Sequence, residues 1–287
     1  MKLNIFWTIL LAISTTSINS CTPKTSQPTG VVATQQEVKI TGSGSTYPAL
    51  KSLVAAYEAQ KEGAEITFLP QSQSDSAIVA VTQGLVDLGG MSRNLKPQEE
   101  SDSIAYRELA KDALIVATHP SVTGVNNLQT EQLKDIYSGK ITNWQEVGGP
   151  DAEIVLLDRP EDESGKRLLR EYYLGKELKN APEAIIMRQE GELIEAVEDT
   201  PHSIGAFSLA YAIANNSSVN RLSLNGVEPT AANVEANKYK MVRNIGIIYN
   251  PTPAKATSEF LNFAFSKEGA KQLQENGFTP TSVINEQ

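Results

Sequence analysis

From residue 37 onward, short apolar runs alternate with longer stretches in which apolar residues recur every three or four positions. That rhythm predicts strands and amphipathic helices in turn, and hence an α/β fold. Strands are expected over 38–41, 65–69, 85–90, 154–157, 203–207 and 241–249. Residues 113–118 form a continuous apolar run, as suits a strand covered on both faces. Helical spacing marks 48–60, 76–83, 130–138, 164–174, 256–265 and 267–276, with Gly175 a natural stop for the fourth.

The pattern differs before residue 37. Lys2 precedes a short apolar core over 5–13, too short to span a bilayer and readable as an export signal. Cys21 is the only cysteine, so the chain forms no internal disulfide. Ile18-Asn19-Ser20 before it resembles a bacterial lipobox, which implies lipidation of Cys21. Acyl chains such as palmitate on that thiol would hold the protein at a membrane surface outside the cytoplasm. Residues 22–36, rich in Thr, Pro, Ser and Gln, read as a flexible tether.

Charge narrows the partners. A formal net charge of −9 argues against nucleic acid. It leaves room for a small anion held by oriented N–H dipoles. The stretch 41–49, Thr-Gly-Ser-Gly-Ser-Thr-Tyr-Pro-Ala, offers such a cradle. Gly42 and Gly44 permit tight turns, and Pro48 suits the first turn of a helix. The helix start leaves N–H groups free beside the hydroxyls of Ser45, Thr46 and Tyr47. Nucleophilic or metal catalysis finds little support. There is no Gly-x-Ser-x-Gly elbow, and His119 and His202 each adjoin a proline away from any ligand-spaced cluster. No cofactor is expected.

Several stretches carry a family resemblance: Gly-Ser-Gly-Ser-Thr-Tyr-Pro (42–48), Val-Asp-Leu-Gly-Gly-Met-Ser-Arg (86–93), Leu-Lys-Asp-Ile-Tyr-Ser-Gly-Lys-Ile-Thr-Asn-Trp-Gln-Glu-Val-Gly-Gly (133–149), Ser-Ile-Gly-Ala-Phe (203–207) and Gly-Phe-Thr-Pro (277–280). Over residues 38–280 the chain resembles the phosphate-binding proteins of ABC importers, a periplasmic-binding-protein family of type II. The resemblance implies two α/β lobes joined by two crossing strands, with the ligand between them. The crossings are expected near 117–119 and 243–246. Lobe 1 would then comprise 37–117 plus 243–287, and lobe 2 would comprise 118–242. Within the 133–149 block Trp144 reads as a packing anchor. The resemblance further implies a monomeric receptor that captures inorganic phosphate and passes it to permease subunits. Another oxyanion (sulfate, molybdate or tungstate) and a phosphate-sensing lipoprotein remain open alternatives.

The implied ligand shell is Ser45, Thr46 and Tyr47 at the first helix, Ser74 before the second, Arg159 as the charged partner, and Ser164 with Gly165 in lobe 2. Three departures stand out. Ser92 lies where the family often has an aspartate that accepts the proton of hydrogen phosphate. The loop from Arg159 to Ser164 is one residue longer than the family's, and Lys166 replaces a threonine. Lys166 either adds a cation to the site or points to solvent. Glu161, Asp162 and Glu163 would oppose an anion unless they face water or pair with Lys166 and Arg167. Arg93 either forms an ion pair within lobe 1 or reaches the cleft, and Gly191 is a candidate for the far wall.

Overall fold

The computed structural model describes residues 37–281, so the expected signal, Cys21 and the tether lie outside the described residues. Strands β1 (Val38–Gly42), β2 (Ile66–Phe68) and β3 (Leu88–Met91) alternate with helices α1 (Tyr47–Gln60) and α2 (Ser74–Thr82). A long strand, β4 (Ala105–Thr118), leads to β5 (Asn127–Leu128), α3 (Thr130–Tyr137) and β6 (Val155–Asp158). Then come α4 (Ser164–Leu169), β7 (Ile185–Ile186), α5 (Glu190–Asp199), β8 (Ser203–Ser208) and α6 (Leu209–Ala214). Short strands β9 (Asn220–Arg221) and β10 (Ser223–Leu224) precede α7 (Ala231–Glu235) and β11 (Val242–Tyr249). Helices α8 (Lys255–Ala264) and α9 (Lys267–Glu275) and strand β12 (Thr279–Pro280) finish the described chain.

The main path of the sheet runs β2-β1-β3-β11-β4-β8-β6-β7. Its outer pairs are parallel, β1 with β2 and β3, and β6 with β7 and β8. At its centre β4 and β11 are antiparallel. The length of β4 explains the two-lobed architecture. Its residues up to Ala113 pair with β11, and those from Leu114 to Thr118 pair with β8.

Separate cores flank that handover. Ile40, Leu50, Leu88, Leu109, Ile245, Ile247 and Phe260 pack in one cluster. Ala113, Leu114, Ile115, Val116, Ala117, Trp144, Phe207 and Met241 belong to another. Each large aliphatic side chain removed from water contributes about 1.5–3 kcal/mol, so membership of a core decides which lobe a segment belongs to. β4 thus passes from its pairing with β11 to its pairing with β8 just after Asp112. In register opposite it, Arg243 marks the return.

Most elements match the sequence pattern. Residues 105–112 were not legible as strand because Arg107, Glu108, Lys111 and Asp112 interrupt the apolar run. Helix α1 buries Ala49, Leu50, Leu53, Val54 and Tyr57 on one face, the spacing that predicted it. Trp144 is fully buried, and its Nε1 donates to the His202 carbonyl at 2.8 Å, so it anchors packing. Among the described residues no helix is long and apolar enough to cross a membrane.

Candidate functional site

A polar cleft of about 590 Å³ opens where the loop after β1 meets the N-terminal ends of α4 and α5. Its first wall is Ser43, Gly44 and Ser45, with Gln71, Ser72, Gln73 and Ser76 beside them. The facing wall is Arg159, Glu163 and Ser164, with Arg188, Gln189, Glu190, Gly191 and Tyr211. Gly191 thus lies on the far wall, as the sequence suggested.

The loop after β1 shows how local chemistry shapes the first wall. Ser43 N–H donates to Gly90 O at 3.0 Å, and Thr46 N–H donates back to Ser43 O at 2.9 Å. Residues Gly44–Thr46 form a single 3-10 turn, and Tyr47 N–H closes it on Gly44 O. The N–H groups of Gly44 and Ser45, at the start of that turn, are the ones left without intrahelical acceptors. Gly42 has φ +148 and packs directly on the Gly90 backbone, an approach that a side chain would block.

Sequence-predicted residues divide into three groups. Ser45, Arg159 and Ser164 come together at the cleft, and the Ser45 and Ser164 hydroxyls lie 3.3 Å apart. Gly165 sits beside Ser164, where an added Cβ would press on Leu114, so the position favours close approach of α4 to β4.

Thr46 and Tyr47 lie behind the wall and build it. The Thr46 hydroxyl donates to Ser43 O at 2.7 Å, and the Tyr47 hydroxyl donates to Leu69 O at 2.6 Å. Ser74 and Ser92 meet each other within lobe 1. Ser92 N–H donates to Ser74 Oγ at 3.2 Å, and the two hydroxyls are 3.4 Å apart.

Lys166 falls in the third group and corrects both readings of it. It neither enters the cleft nor reaches water. Its ammonium is buried in lobe 2 as the ion-pair partner of Asp158, 3.3 Å from Asn180 Oδ1 and 5.0 Å from the centre of the Tyr137 ring. Burial pulls its pKa below the ordinary lysine value, against the attraction of Asp158. Two residues into α4, roughly half a turn from Ser164, the side chain points to the core rather than along the path of Ser164.

Glu161 and Glu163 are paired, in part with the partners expected. Glu161 pairs with Arg170 at 2.6 Å and lies 3.9 Å from Lys166. Its carboxyl is held below the usual range, first by the Arg170 hydrogen bond. Glu163 binds Arg159 at 3.0 Å. Arg167 donates to the Asp162 carbonyl. Arg93 pairs with Glu99 and Asp75 within lobe 1 and does not reach the cleft. The two histidines converge on Ser121, with His119 Nδ1 at 2.8 Å and His202 Nδ1 at 3.2 Å from its Oγ.

Sequence reasoning passed over the charged group that backs Ser45, Ser164 and Glu190. Arg243, almost fully buried, binds Asp112 at 2.7 Å and Glu190 at 3.1 Å. Burial opposes the Arg243 charge, but Glu190 and Asp112 outweigh it and hold its pKa above the ordinary arginine value. Burial pushes the Asp112 carboxyl up. A charged residue within an otherwise apolar strand, at the expected return crossing, was the available signal. Arg188 is exposed on the rim and forms no ion pair among the described residues.

Two lobes sharing a central pair of strands, with a polar cleft at helix starts, define a solute-receptor fold of the periplasmic-binding-protein type. A PBP superfamily domain model matches residues 27–268. Phosphate-binding protein PstS of Borreliella burgdorferi is 31% identical over 84% of this chain and 88% of its own length. PstS of Bacillus subtilis is 27% identical over 85% of this chain and 80% of its own. Among solved structures, one from Clostridium perfringens is described as a phosphate ABC transporter substrate-binding protein with bound phosphate. It aligns with TM-score 0.74 and 29% identity over 86% of this chain and all of that one. The chain belongs to the PstS phosphate-binding protein family within the PBP superfamily. It is accordingly a binding protein and not an enzyme.

Proposed function

We propose that this protein is an exported receptor that captures inorganic phosphate in the cleft and delivers it to the permease of an ABC-type importer. The observation that carries the reading is the convergence of Ser45 from lobe 1 with Ser164 and Arg159 from lobe 2. A tetrahedral oxyanion needs many short donors, and hydroxyls, N–H groups and a guanidinium supply them. Ligand held between lobes favours the closed form, which a permease can distinguish from the open one. The relatives named PstS support phosphate as the anion. Lipidation at Cys21, with a monomer tethered by 22–36, completes the proposal. Replacing Cys21 by Ser should release the protein from the membrane fraction, and an unchanged distribution would remove the anchor from the account.

The Glu163 carboxylate in the cleft favours an anion that still carries a proton, because it accepts from a P–OH and repels a fully ionised dianion. A second reading, a receptor for sulfate or a related dianion, draws on Ser92, which puts a hydroxyl pair with Ser74 where the family often has a carboxylate. Calorimetric titration with phosphate, arsenate, sulfate and molybdate across pH separates the two. Phosphate and arsenate should bind and sulfate should not. Tight sulfate or molybdate binding with none by millimolar phosphate would overturn the phosphate reading.

A further inference from the structure

We infer that Arg243, on the strand that returns between the lobes, is a positioning residue for the anion site. It aims the hydroxyls of Ser45 and Ser164 from opposite walls at the ligand. The inference rests on the reading of the cleft as a phosphate site and adds a residue to it.

The donor inventory carries the argument. A guanidinium has five N–H donors and no acceptor. Arg243 Nε donates to Asp112 Oδ2 at 2.8 Å, and Nη2 serves Asp112 and Glu190. Nη1 donates to Ser45 Oγ at 3.0 Å and lies 3.4 Å from Ser164 Oγ. Its donors are thus occupied within the protein, and the two carboxylates fix the plane of the fork.

Each serine hydroxyl carries one O–H and two lone pairs. Where Nη1 fills a lone pair on both, each oxygen keeps its single O–H for another acceptor. The two hydroxyls lie 3.3 Å apart, and only one of them can donate to the other. The second O–H is left for an acceptor in the cleft. An oxyanion that bridges the walls takes both protons. Arg243 thereby makes the hydroxyl pair a donor pair, while its own charge is spent on Asp112 and Glu190.

Because Ser45 precedes α1 and Ser164 begins α4, the same Nη1 also ties the two lobes to the crossing strand. Arg243 therefore acts through the serines, and an anion need not touch it.

A double-mutant cycle on the full chain tests this with inorganic phosphate as the probe. Arg243→Lys keeps a cation beside Asp112, but one ammonium cannot serve two carboxylates and two hydroxyls in that fork geometry. Loss of one charge-assisted hydrogen bond predicts phosphate binding weaker by about tenfold or more. In a Ser45→Ala, Ser164→Ala background the same change should cost less than about twofold. Unchanged affinity in Arg243→Lys overturns the inference and leaves the phosphate reading intact, as does a full loss that persists without the hydroxyls. Absence of phosphate binding by the unaltered protein overturns both.

If Arg243→Lys fails to fold, Glu190→Ala takes its place. Removing that carboxylate deletes a negative charge from the cleft, which by charge alone tightens anion binding. The inference requires weaker binding, because Arg243 loses part of its support, and tighter or unchanged binding overturns it.

Discussion

Ser45 and Ser164 are 119 positions apart in the chain, yet their hydroxyls lie 3.3 Å from each other across the cleft. The contact joins the turn ahead of α1 in lobe 1 to the first residue of α4 in lobe 2. It places donors from both lobes within reach of a single small anion, which is the geometry a closing receptor needs.

Arg159 lines the cleft near Ser164, and its side chain also serves the protein. Nη1 donates to Met187 O at 3.0 Å, and Nη2 pairs with Glu163. Arg159→Ala should weaken phosphate binding by roughly a hundredfold, as expected for loss of a charged donor from a desolvated site. Glu163→Gln should act oppositely on dianions, because it frees Arg159 and removes a repelling charge. Calorimetry on both variants checks the pair of signs, and tighter sulfate binding by Glu163→Gln is the specific expectation.

Lys166→Ala should damage the fold more than the site. Removing one member of a buried ion pair leaves Asp158 uncompensated at a cost of about 3–5 kcal/mol. For a chain of this size that corresponds to a thermal midpoint lower by roughly 10 °C. Phosphate affinity of the remaining folded protein should fall far less than in Arg159→Ala. A calorimetric scan beside a titration below the midpoint separates the two effects.

Gly90→Ala should disturb the cleft from behind. A methyl group on Gly90 would run into the Thr46 hydroxyl, whose bond to Ser43 O shapes the turn carrying Ser45. Thr46 has no room to retreat, being fully buried. Overpacking of this kind costs about 1–3 kcal/mol. Both thermal stability and phosphate affinity should decline, whereas Gly84→Ala, at an open position with φ +65, should lower stability alone.

Acid sensitivity should trace in part to Glu99. Its hydrogen bonds from Arg93, opposed by burial, bring its carboxyl down from 4.5 to about 2. A carboxylate whose folded pKa is depressed adds stability above its unfolded value, and that stability disappears as pH falls through the folded one. Unfolding midpoints of the native chain should therefore fall between pH 4.5 and about 2. Glu99→Gln should be less stable at neutral pH and lose less across that window. The pair is partly solvated, so the difference should be modest.

Much of the fold was legible because strand and helix periods differ and most runs are clean. Exceptions were the short helices α6 and α7, which the periodicity did not mark, and the outer half of β4, where charged residues interrupt the apolar run and the strand gains its place from pairing with β11. Within the site, Ser45 was readable from the hydroxyls at a helix start, whereas Arg159 and Ser164 came from the family resemblance. Lys166 was not readable, because the direction of a long side chain depends on which face of α4 meets the lobe 2 core. Arg243 and Glu190 were missed for another reason. Their roles arise where two lobes and a crossing strand meet, a relationship that no local window contains.

The most direct test of the central claim is a crystal structure of the full chain with inorganic phosphate at saturating concentration. A tetrahedral anion should lie against the Ser45 and Ser164 hydroxyls, with Arg159 in contact and Arg243 bound to the serines rather than to the ligand. Phosphate held elsewhere, or an empty cleft under those conditions, would contradict the account.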